Sequence, residues 1–182
     1  MEQKGTYTLN VAGLTRELKI CLVNENLDIA AFVMFSDVEM TVACATELLK
    51  TVPEFDMIIT AESKGIPLAY EMSRQSGKKY ILARKSKKLY MQKTVEVIVD
   101  SITTAGIQKL YLDSDDMDYI CGKKVLLVDD VISTGQSIIA LEQLVQQAQG
   151  RIVGKACVLA EGDAAQRDDI IFLAPLPLFF KT

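Results

Sequence analysis

Two adjacent carboxylates followed by a hydroxyl-rich loop are the residues of this sequence best suited to chemistry. Asp129 and Asp130 come directly after the four apolar residues Val125–Val128, and the loop of residues 133–137 carries three hydroxyl groups and one glycine. Hydroxyls, a glycine that lets the backbone approach closely, and the free N–H groups of a following helix all suit a phosphate monoester. Carboxylates repel phosphate, so their natural ligands are sugar hydroxyls or a cation. The stretch therefore predicts a sugar-phosphate site.

The elements that position this site are predicted by short apolar runs. Val125–Val128 is typical of a strand buried on both faces, and the apolar, glutamine-rich segment Ile138–Gln149 predicts a helix. Ligands bind beyond the carboxyl ends of strands in an open parallel sheet. Further strands are predicted at Tyr7–Val11 (an edge strand), Met57–Thr60, Tyr80–Ala83, Ile152–Leu159 and Ile170–Leu173, and further helices at 37–50 and 68–74.

Two other predicted strands also end in loops suited to anions. Ser63, Lys64 and Gly65 follow the strand Met57–Thr60, and the run Arg84–Lys88 places four cations in five residues after Tyr80–Ala83. Arginine offers phosphate a bidentate fork, and lysine a mobile point charge. A plain helix start and a solvated charged turn are the alternatives for these two loops. Their shared place at strand ends favours the anion site.

Composition excludes several classes of protein. The chain has 182 residues, a formal net charge of −4 and no histidine, which removes Ser-His-Asp triads and histidine-based zinc sites. A metal here is expected to be a hard cation on oxygen ligands, with Mg²⁺ the natural candidate beside phosphates. We expect no nucleic-acid partner, no membrane segment and no secretory leader. The four widely spaced cysteines then indicate reduced thiols in a cytoplasmic protein.

Residues 125–137 resemble the signature with which type I phosphoribosyltransferases bind 5-phosphoribosyl-1-pyrophosphate (PRPP). That pattern is four apolar residues, two acids, and a loop that contains Thr-Gly and ends in Ser or Thr. Glu62–Gly65 resembles the pyrophosphate loop of the family, and 83–87 is similar to the purine members, particularly the adenine and xanthine branches. The resemblance implies an α/β fold with a central, mostly parallel sheet flanked by helices. It further implies one domain over 1–182, a hood from about residues 1–35 and a mobile flap at about 86–110.

The resemblance also implies a reaction and a set of site residues. Ribose 5-phosphate would pass from PRPP to a purine nitrogen with release of pyrophosphate, Mg²⁺ being held mainly by the pyrophosphate and by no direct protein ligand. Asp129 and Asp130 would be catalytic and accept the ribose hydroxyls. The expected PRPP-binding residues are Asp129, Asp130, Ser133, Thr134, Gly135, Gln136 and Ser137, and the expected pyrophosphate-binding residues are Ser63, Lys64, Gly65, Arg84, Lys85 and Lys88.

The sequence defines the identity of the purine substrate less well than the PRPP site. Leu9, Arg16, Ile132 and Glu161 are expected to bind the base, with Asp113 as acid or base; the alternative for Arg16 is a surface arginine paired with a nearby glutamate. Gly162 stands where xanthine-type relatives carry a lysine, which favours adenine. Xanthine or hypoxanthine transfer stays open, as does a non-catalytic PRPP sensor, although such sensors usually carry a DNA-binding domain for which 182 residues leave no room. A homodimer is expected from the family.

Overall fold

A computed structural model of the chain describes residues 5–91, 93–99 and 108–181. Its strands and helices follow one another as β1 (Thr6–Val11), β2 (Leu14–Asn24), β3 (Leu27–Ala31), α1 (Val38–Leu49), β4 (Met57–Ala61), α2 (Ile66–Ser76), β5 (Lys79–Ala83), β6 (Thr94–Val99), β7 (Gln108–Asp113), α3 (Ser114–Ile120), β8 (Lys124–Ile132), α4 (Gln136–Gln147), β9 (Arg151–Glu161), a 3-10 helix (Gly162–Gln166), β10 (Ile171–Leu176) and β11 (Leu178–Phe180).

A five-stranded parallel sheet forms the centre of the molecule. Its order is β10-β9-β8-β4-β5, and every neighbouring pair is parallel. Successive strand residues point to opposite faces, so Met57 and Ile59 enter the core under α4, whereas Ile58 enters the core under α1 and α2. Burial on both faces explains why the strand sequences are continuous apolar runs. The expected central parallel sheet flanked by helices is confirmed.

The N-terminal segment forms a second sheet, of order β1-β2-β3-β11 and antiparallel throughout. Ala12 (φ 50°) and Gly13 (φ 76°) make the two-residue turn between β1 and β2, and positive φ at both positions is the pattern of a type I′ hairpin. The predicted edge strand at Tyr7–Val11 is confirmed. The sequence did not predict β2, because Arg16 interrupts its alternation of apolar residues and only Leu18 of its eleven residues is buried.

The two sheets are joined by the end of the chain. β10 runs parallel to β9 in the central sheet. At Pro177, three residues after Ala174, the chain passes from β10 into β11, which pairs with β3. The N-terminal sheet is thereby held beside the carboxyl ends of the central strands.

β6 and β7 form a separate antiparallel pair, with Val97 and Leu110 buried in the core under α4. Of the flap expected at about 86–110, residues 92 and 100–107 lie outside the described part of the chain. The acidic residues after β7 belong to α3, whose first turn is capped by Asp113. Within the described ranges, no helix has the length and apolarity needed to cross a membrane.

Candidate active site

A pocket of about 370 Å³ lies where the five central strands end and the N-terminal sheet begins. Residues from the ends of β4, β8, β9 and β10 line it, β5 contributes through the loop that follows it, and β3 supplies the opposite wall. The lining residues are Ile29, Ala30, Ala31, Phe32, Ala61, Glu62, Ser63, Lys64, Lys85, Asp129, Asp130, Val131, Ser133, Ser137, Glu161 and Leu176. The sequence-predicted loops after three different strands are therefore brought to one place.

The acid pair belongs to β8 itself, which continues to Ile132, so Asp129 still pairs with Cys157 of β9. The Asp130 backbone N–H donates to Asp129 Oδ1 over 3.0 Å. Asp130 is 4% exposed, and its Oδ2 is buried without a hydrogen-bond partner among the described residues. A buried carboxylate oxygen without a donor is costly, so this atom is suited to accept a hydrogen bond from a ligand.

Both carboxyls of the pair are harder to ionise than isolated ones. Loss of contact with water raises the pKa of Asp129, and the adjacent charge of Asp130 raises it further. Burial also raises the pKa of Asp130, while its hydrogen bond with Asp129 and the charge of Lys64 act in the opposite direction. The ammonium of Lys64 therefore stabilises the ionised pair, and a ligand hydroxyl or cation would add to that stabilisation.

The loop of residues 133–137 leads into α4 and lines a cavity of about 140 Å³ with Asp129. Gly135 precedes the helix at φ 79°, a left-handed conformation that favours glycine. A Cβ at this position would lie 2.8 Å from Nη1 of Arg167, the end of a flexible side chain that can move aside, so the positive φ is the reason for glycine there. The helix start supplies N–H groups and a partial positive charge, which together suit an anion.

The loop of residues 62–65 packs closely on the acid pair. A Cβ at Gly65 would lie 2.4 Å from Thr60 Oγ1 and 2.9 Å from Asp129 Oδ1. Glycine is therefore needed for β4 and β8 to bring their loops together. Ser63 and Lys64 line the pocket on either side of this contact point, and Pro67 lies in the first turn of α2, where its missing N–H costs nothing.

The cations after β5 are gathered around Glu62. Arg84 Nη1 donates to Glu62 Oε1 over 3.2 Å, the Lys85 backbone N–H donates to Oε2 over 2.9 Å, and Lys88 Nζ lies 3.9 Å from Oε1. The bond from Lys85, with the two side-chain cations, holds the pKa of Glu62 below its usual value. Lys85 lines the pocket, whereas Arg84 and Lys88 lie beside it, bound to Glu62.

The four residues expected to bind the base are not all brought to the pocket. Glu161 lines it, but Ile132 is buried and lines the smaller cavity of the 133–137 loop, and its neighbour Val131 lies in the pocket wall. Leu9 is 1% exposed in the core under the N-terminal sheet. Arg16 donates to Asp37 over 2.7 Å and to Glu39 over 2.7 Å, at the start of α1. The alternative for Arg16, a structural ion pair, matches its position.

Asp113 does not reach the pocket either. Its carboxylate accepts from the Ser114 N–H over 2.8 Å and caps α3, and it lines a different cavity of about 470 Å³ with Arg84 and Asp116. The position of Asp113 thus lies outside this pocket, and its role as acid or base stays a prediction. An aspartate directly before a helix is favoured as a cap, a local signal that accounts for its place.

Several lining residues were missed in the sequence. Residues 29–32 and Leu176 carry no motif and reach the pocket through the pairing of β11 with β3, which joins segments about 150 residues apart. For Glu62 the sequence did carry an indication. An acid directly before an anion loop and within reach of a cationic run is unexpected unless it forms an ion pair.

Comparison with known proteins agrees with this geometry. A family model described as the phosphoribosyl transferase domain matches residues 44–174. A hypoxanthine/guanine phosphoribosyltransferase of Methanothermococcus okinawensis is 34% identical over 123 residues, which are 67% of this chain and 63% of the relative. An adenine phosphoribosyltransferase of Pseudothermotoga lettingae is 35% identical over 109 residues, 59% of this chain and 60% of the relative. The matches thus span less than two thirds of these curated relatives.

Solved structures share the fold at low sequence identity. An adenine phosphoribosyltransferase of Leishmania donovani aligns with a TM-score of 0.67 at 17% identity, over 96% of this chain and 77% of the other. The enzyme of Thermoanaerobacter pseudethanolicus aligns with a TM-score of 0.63 at 21% identity, over 76% and 80%. The family model covers most of the chain and includes all three anion loops and the acid pair. The chain therefore belongs to the phosphoribosyltransferase family.

Proposed function

We propose that this protein is a purine phosphoribosyltransferase, which makes a nucleotide and pyrophosphate from PRPP and a free purine. The observation that carries the proposal is the buried Oδ2 of Asp130, which finds no hydrogen-bond partner in the described part of the chain and lies between a hydroxyl-bearing helix start and a lysine-bearing loop. An acceptor between two anion sites matches the layout of PRPP, whose ribose hydroxyls lie between a 5′-phosphate and a pyrophosphate.

The proposed roles follow this layout. Asp129 and Asp130 accept the 2′- and 3′-hydroxyls of the ribose. The backbone and hydroxyls of the 133–137 loop, with Gln136 and Ser137 at the start of α4, hold the 5′-phosphate. The pyrophosphate is bound by Ser63, Lys64 and the Gly65 backbone, joined by Lys85 from the pocket wall and by Arg84 and Lys88 once Glu62 releases them.

The reaction breaks the bond from the anomeric carbon to pyrophosphate and forms a bond to the purine nitrogen, which loses its proton. Positive charge grows on the sugar as negative charge grows on the leaving group, and Lys64 lies where it stabilises the latter. The acid pair lies where it stabilises the former. We expect the flap at about 86–110 to exclude water during this step, because water would capture the cationic sugar.

The lining residues fit a divalent cation bound together with pyrophosphate. Among the described residues of the pocket wall, four are acidic (Glu62, Asp129, Asp130 and Glu161) and two are basic (Lys64 and Lys85). Even with Arg84 and Lys88 added, four cations only balance the four acids and leave the charge of a pyrophosphate uncompensated, so an additional hard cation on oxygen ligands completes the charge balance. When bound, Mg²⁺ would neutralise the charge that builds on the leaving group.

Adenine is the base that we favour. Ile29, Phe32 and Leu176 offer an apolar wall for a flat ring, and Glu161 is the carboxylate beside it. A carboxylate accepts hydrogen bonds, so it suits the 6-amino group of adenine and repels the oxygen of a 6-oxopurine. Hypoxanthine and guanine are the second candidates, because relatives of similar identity include enzymes with both names.

Turnover tests the proposal directly. The protein is incubated with PRPP, Mg²⁺ and adenine, hypoxanthine, guanine or xanthine in turn, and nucleotide is measured by chromatography. We expect AMP to form fastest. Binding of PRPP without product from any base would favour a sensor, and no PRPP binding at all would refute the proposal. A homodimer and a cytoplasmic location remain predictions from the sequence and the family.

A further inference from the structure

The cations beside the pyrophosphate side of the pocket are already paired with a carboxylate. Glu62 lines the pocket, and its two oxygens receive the Arg84 guanidinium at 3.2 Å and the Lys85 backbone N–H at 2.9 Å, with Lys88 Nζ 3.9 Å away. The side chains of Glu62, Arg84 and Lys88 are only 22%, 31% and 33% exposed, so solvent screens these pairs incompletely. Glu62 is thus a fixed anion in contact with the groups that an incoming anion would use.

An anion that enters this part of the pocket meets two costs. Arg84 and Lys88 must leave Glu62 to bind it, and the bare carboxylate of Glu62 then lies beside it. Like charges at short distance oppose each other strongly where water is partly excluded. The bond from the Lys85 N–H needs no charge, since a neutral amide oxygen accepts it equally well. Glu62 therefore has two separable effects: its oxygen ties the 62–65 loop to the 84–88 loop, and its charge competes with the ligand.

We propose that Glu62 is a built-in competitor of pyrophosphate: it keeps Arg84 and Lys88 gathered when the pocket is empty and weakens the binding of released pyrophosphate. The inference rests on the proposed function and adds to it a control over product release. A pocket that binds PRPP through many groups still holds the substrate, whereas pyrophosphate alone depends on this side of the pocket and is released sooner.

The substitution Glu62→Gln separates the two effects, because the amide retains an acceptor for the Lys85 N–H and removes the charge. Isothermal titration calorimetry with inorganic pyrophosphate, with and without Mg²⁺, measures the dissociation constant. We expect pyrophosphate to bind about tenfold more tightly to the variant, the size of effect typical of one charge-assisted contact, and product inhibition by pyrophosphate to increase in parallel. Glu47→Gln is the matched control, since Glu47 forms an exposed pair with Lys50 on α1, far from the pocket, and its removal leaves pyrophosphate binding unchanged.

Equal or weaker pyrophosphate binding by folded Glu62→Gln would overturn the inference, and weaker binding confined to the Mg²⁺ titration would identify Glu62 as part of the cation site instead. Circular dichroism checks the fold. If Glu62→Gln does not fold, Glu62→Asp is the second variant, because its shorter side chain moves the carboxylate away from Arg84 and Lys88 by the length of one methylene. This variant must also bind pyrophosphate more tightly than wild type. If the wild-type protein binds neither PRPP nor pyrophosphate, the proposed function itself fails; if it binds both and the variant gains nothing, only the competitor role fails.

Discussion

The Asp129–Asp130 pair is arranged for a ligand at the expense of stability. Asp130 keeps a buried oxygen without a donor among the described residues, and two carboxyls share a site in which Lys64 is the cation that lowers both pKa values. Such a pair is destabilising in the absence of ligand, because burial and mutual repulsion both oppose ionisation. The same features let a sugar with two hydroxyls gain most from binding there.

We expect Asp130→Asn to weaken the use of PRPP with little loss of fold. The amide presents a donor to the position at which a hydroxyl needs an acceptor, so kcat/KM for PRPP should fall about tenfold or more. Steady-state kinetics at saturating purine measure the change. Asp118→Asn is the control, since Asp118 is an exposed residue of α3 outside the pocket. Unchanged PRPP kinetics in the Asp130 variant would contradict the role of the pair.

The raised pKa of Asp129 predicts how stability changes with pH. A carboxyl whose folded-state pKa is raised binds its proton more tightly in the folded state than in the unfolded state. Its contribution to folding stability is therefore largest below the unfolded-state pKa near 4 and is lost as the pH rises through the folded-state pKa. Asp129→Asn removes the cost of ionising this buried carboxyl. The variant should therefore resist urea better than wild type at pH 8, and the two unfolding curves should converge near pH 3.5. If the difference in stability between wild type and variant is the same at pH 8 and at pH 3.5, ionisation does not destabilise the pair.

The start of α1 carries a contact that joins this helix to the N-terminal sheet. Asp37 accepts from the Met40 N–H over 3.1 Å as the helix cap and from Arg16 of β2 over 2.7 Å. The carboxylate thereby satisfies a helix N–H that has no partner within the helix and fixes the N-terminal sheet against α1.

Asp37→Ala should lower the free energy of unfolding by about 1–2 kcal/mol, the sum of a lost cap and a partly buried ion pair. Urea unfolding followed by circular dichroism measures it. Glu39, the second partner of Arg16, has a side chain that is 70% exposed. Glu39→Ala should therefore lower the free energy of unfolding by less than about 0.5 kcal/mol. If both variants lose the same amount, the cap contributes nothing and the ion pairs alone matter.

Sequence patterns predicted most directly the strands that are buried on both faces, and they missed mostly exposed or short elements such as β2 and α3. β4 and the Val125–Val128 part of β8 consist of residues with almost no exposure, so their composition alone marks them as strands. β2 has one buried residue, and α3 has seven residues, about two turns, so neither presents a long apolar run. Loops after parallel strands share one edge by geometry, which is why strand order and loop composition were enough to predict that the three anion loops lie together.

The parts of the site that depend on distant pairing could not be predicted in this way. Leu176 and the wall at residues 29–32 are brought together by β11, whose pairing with β3 depends on the whole chain folding. Arg16 has the chemistry of a ligand-binding residue, but Asp37 and Glu39 at the start of α1 bind it first. Spacing along the chain gives the direction of a side chain, whereas its partner is decided by tertiary contacts.

The molecule has two cores, one on each face of the central sheet, and each contains one buried thiol. Cys44 of α1 lies in the core shared with α2, and Cys157 of β9 lies in the core under α4; both are fully buried, and burial raises the pKa of each thiol to about 12. Cys21 and Cys121 are exposed. A thiol reagent should therefore label two cysteines of the folded protein rapidly and all four after denaturation.

This difference tests whether residues 1–182 behave as one domain. In a variant with Cys21→Ser and Cys121→Ser, the two remaining thiols each report the opening of one core. Because β4, β8 and β9 contribute to both cores, the loss of either should expose the other, and Cys44 and Cys157 should become reactive over the same range of urea concentration. Mass spectrometry of the labelled peptides separates the two sites. Labelling of Cys44 at clearly lower urea than Cys157 would show that the helical layer of α1 and α2 opens by itself, and the chain would then unfold in two steps.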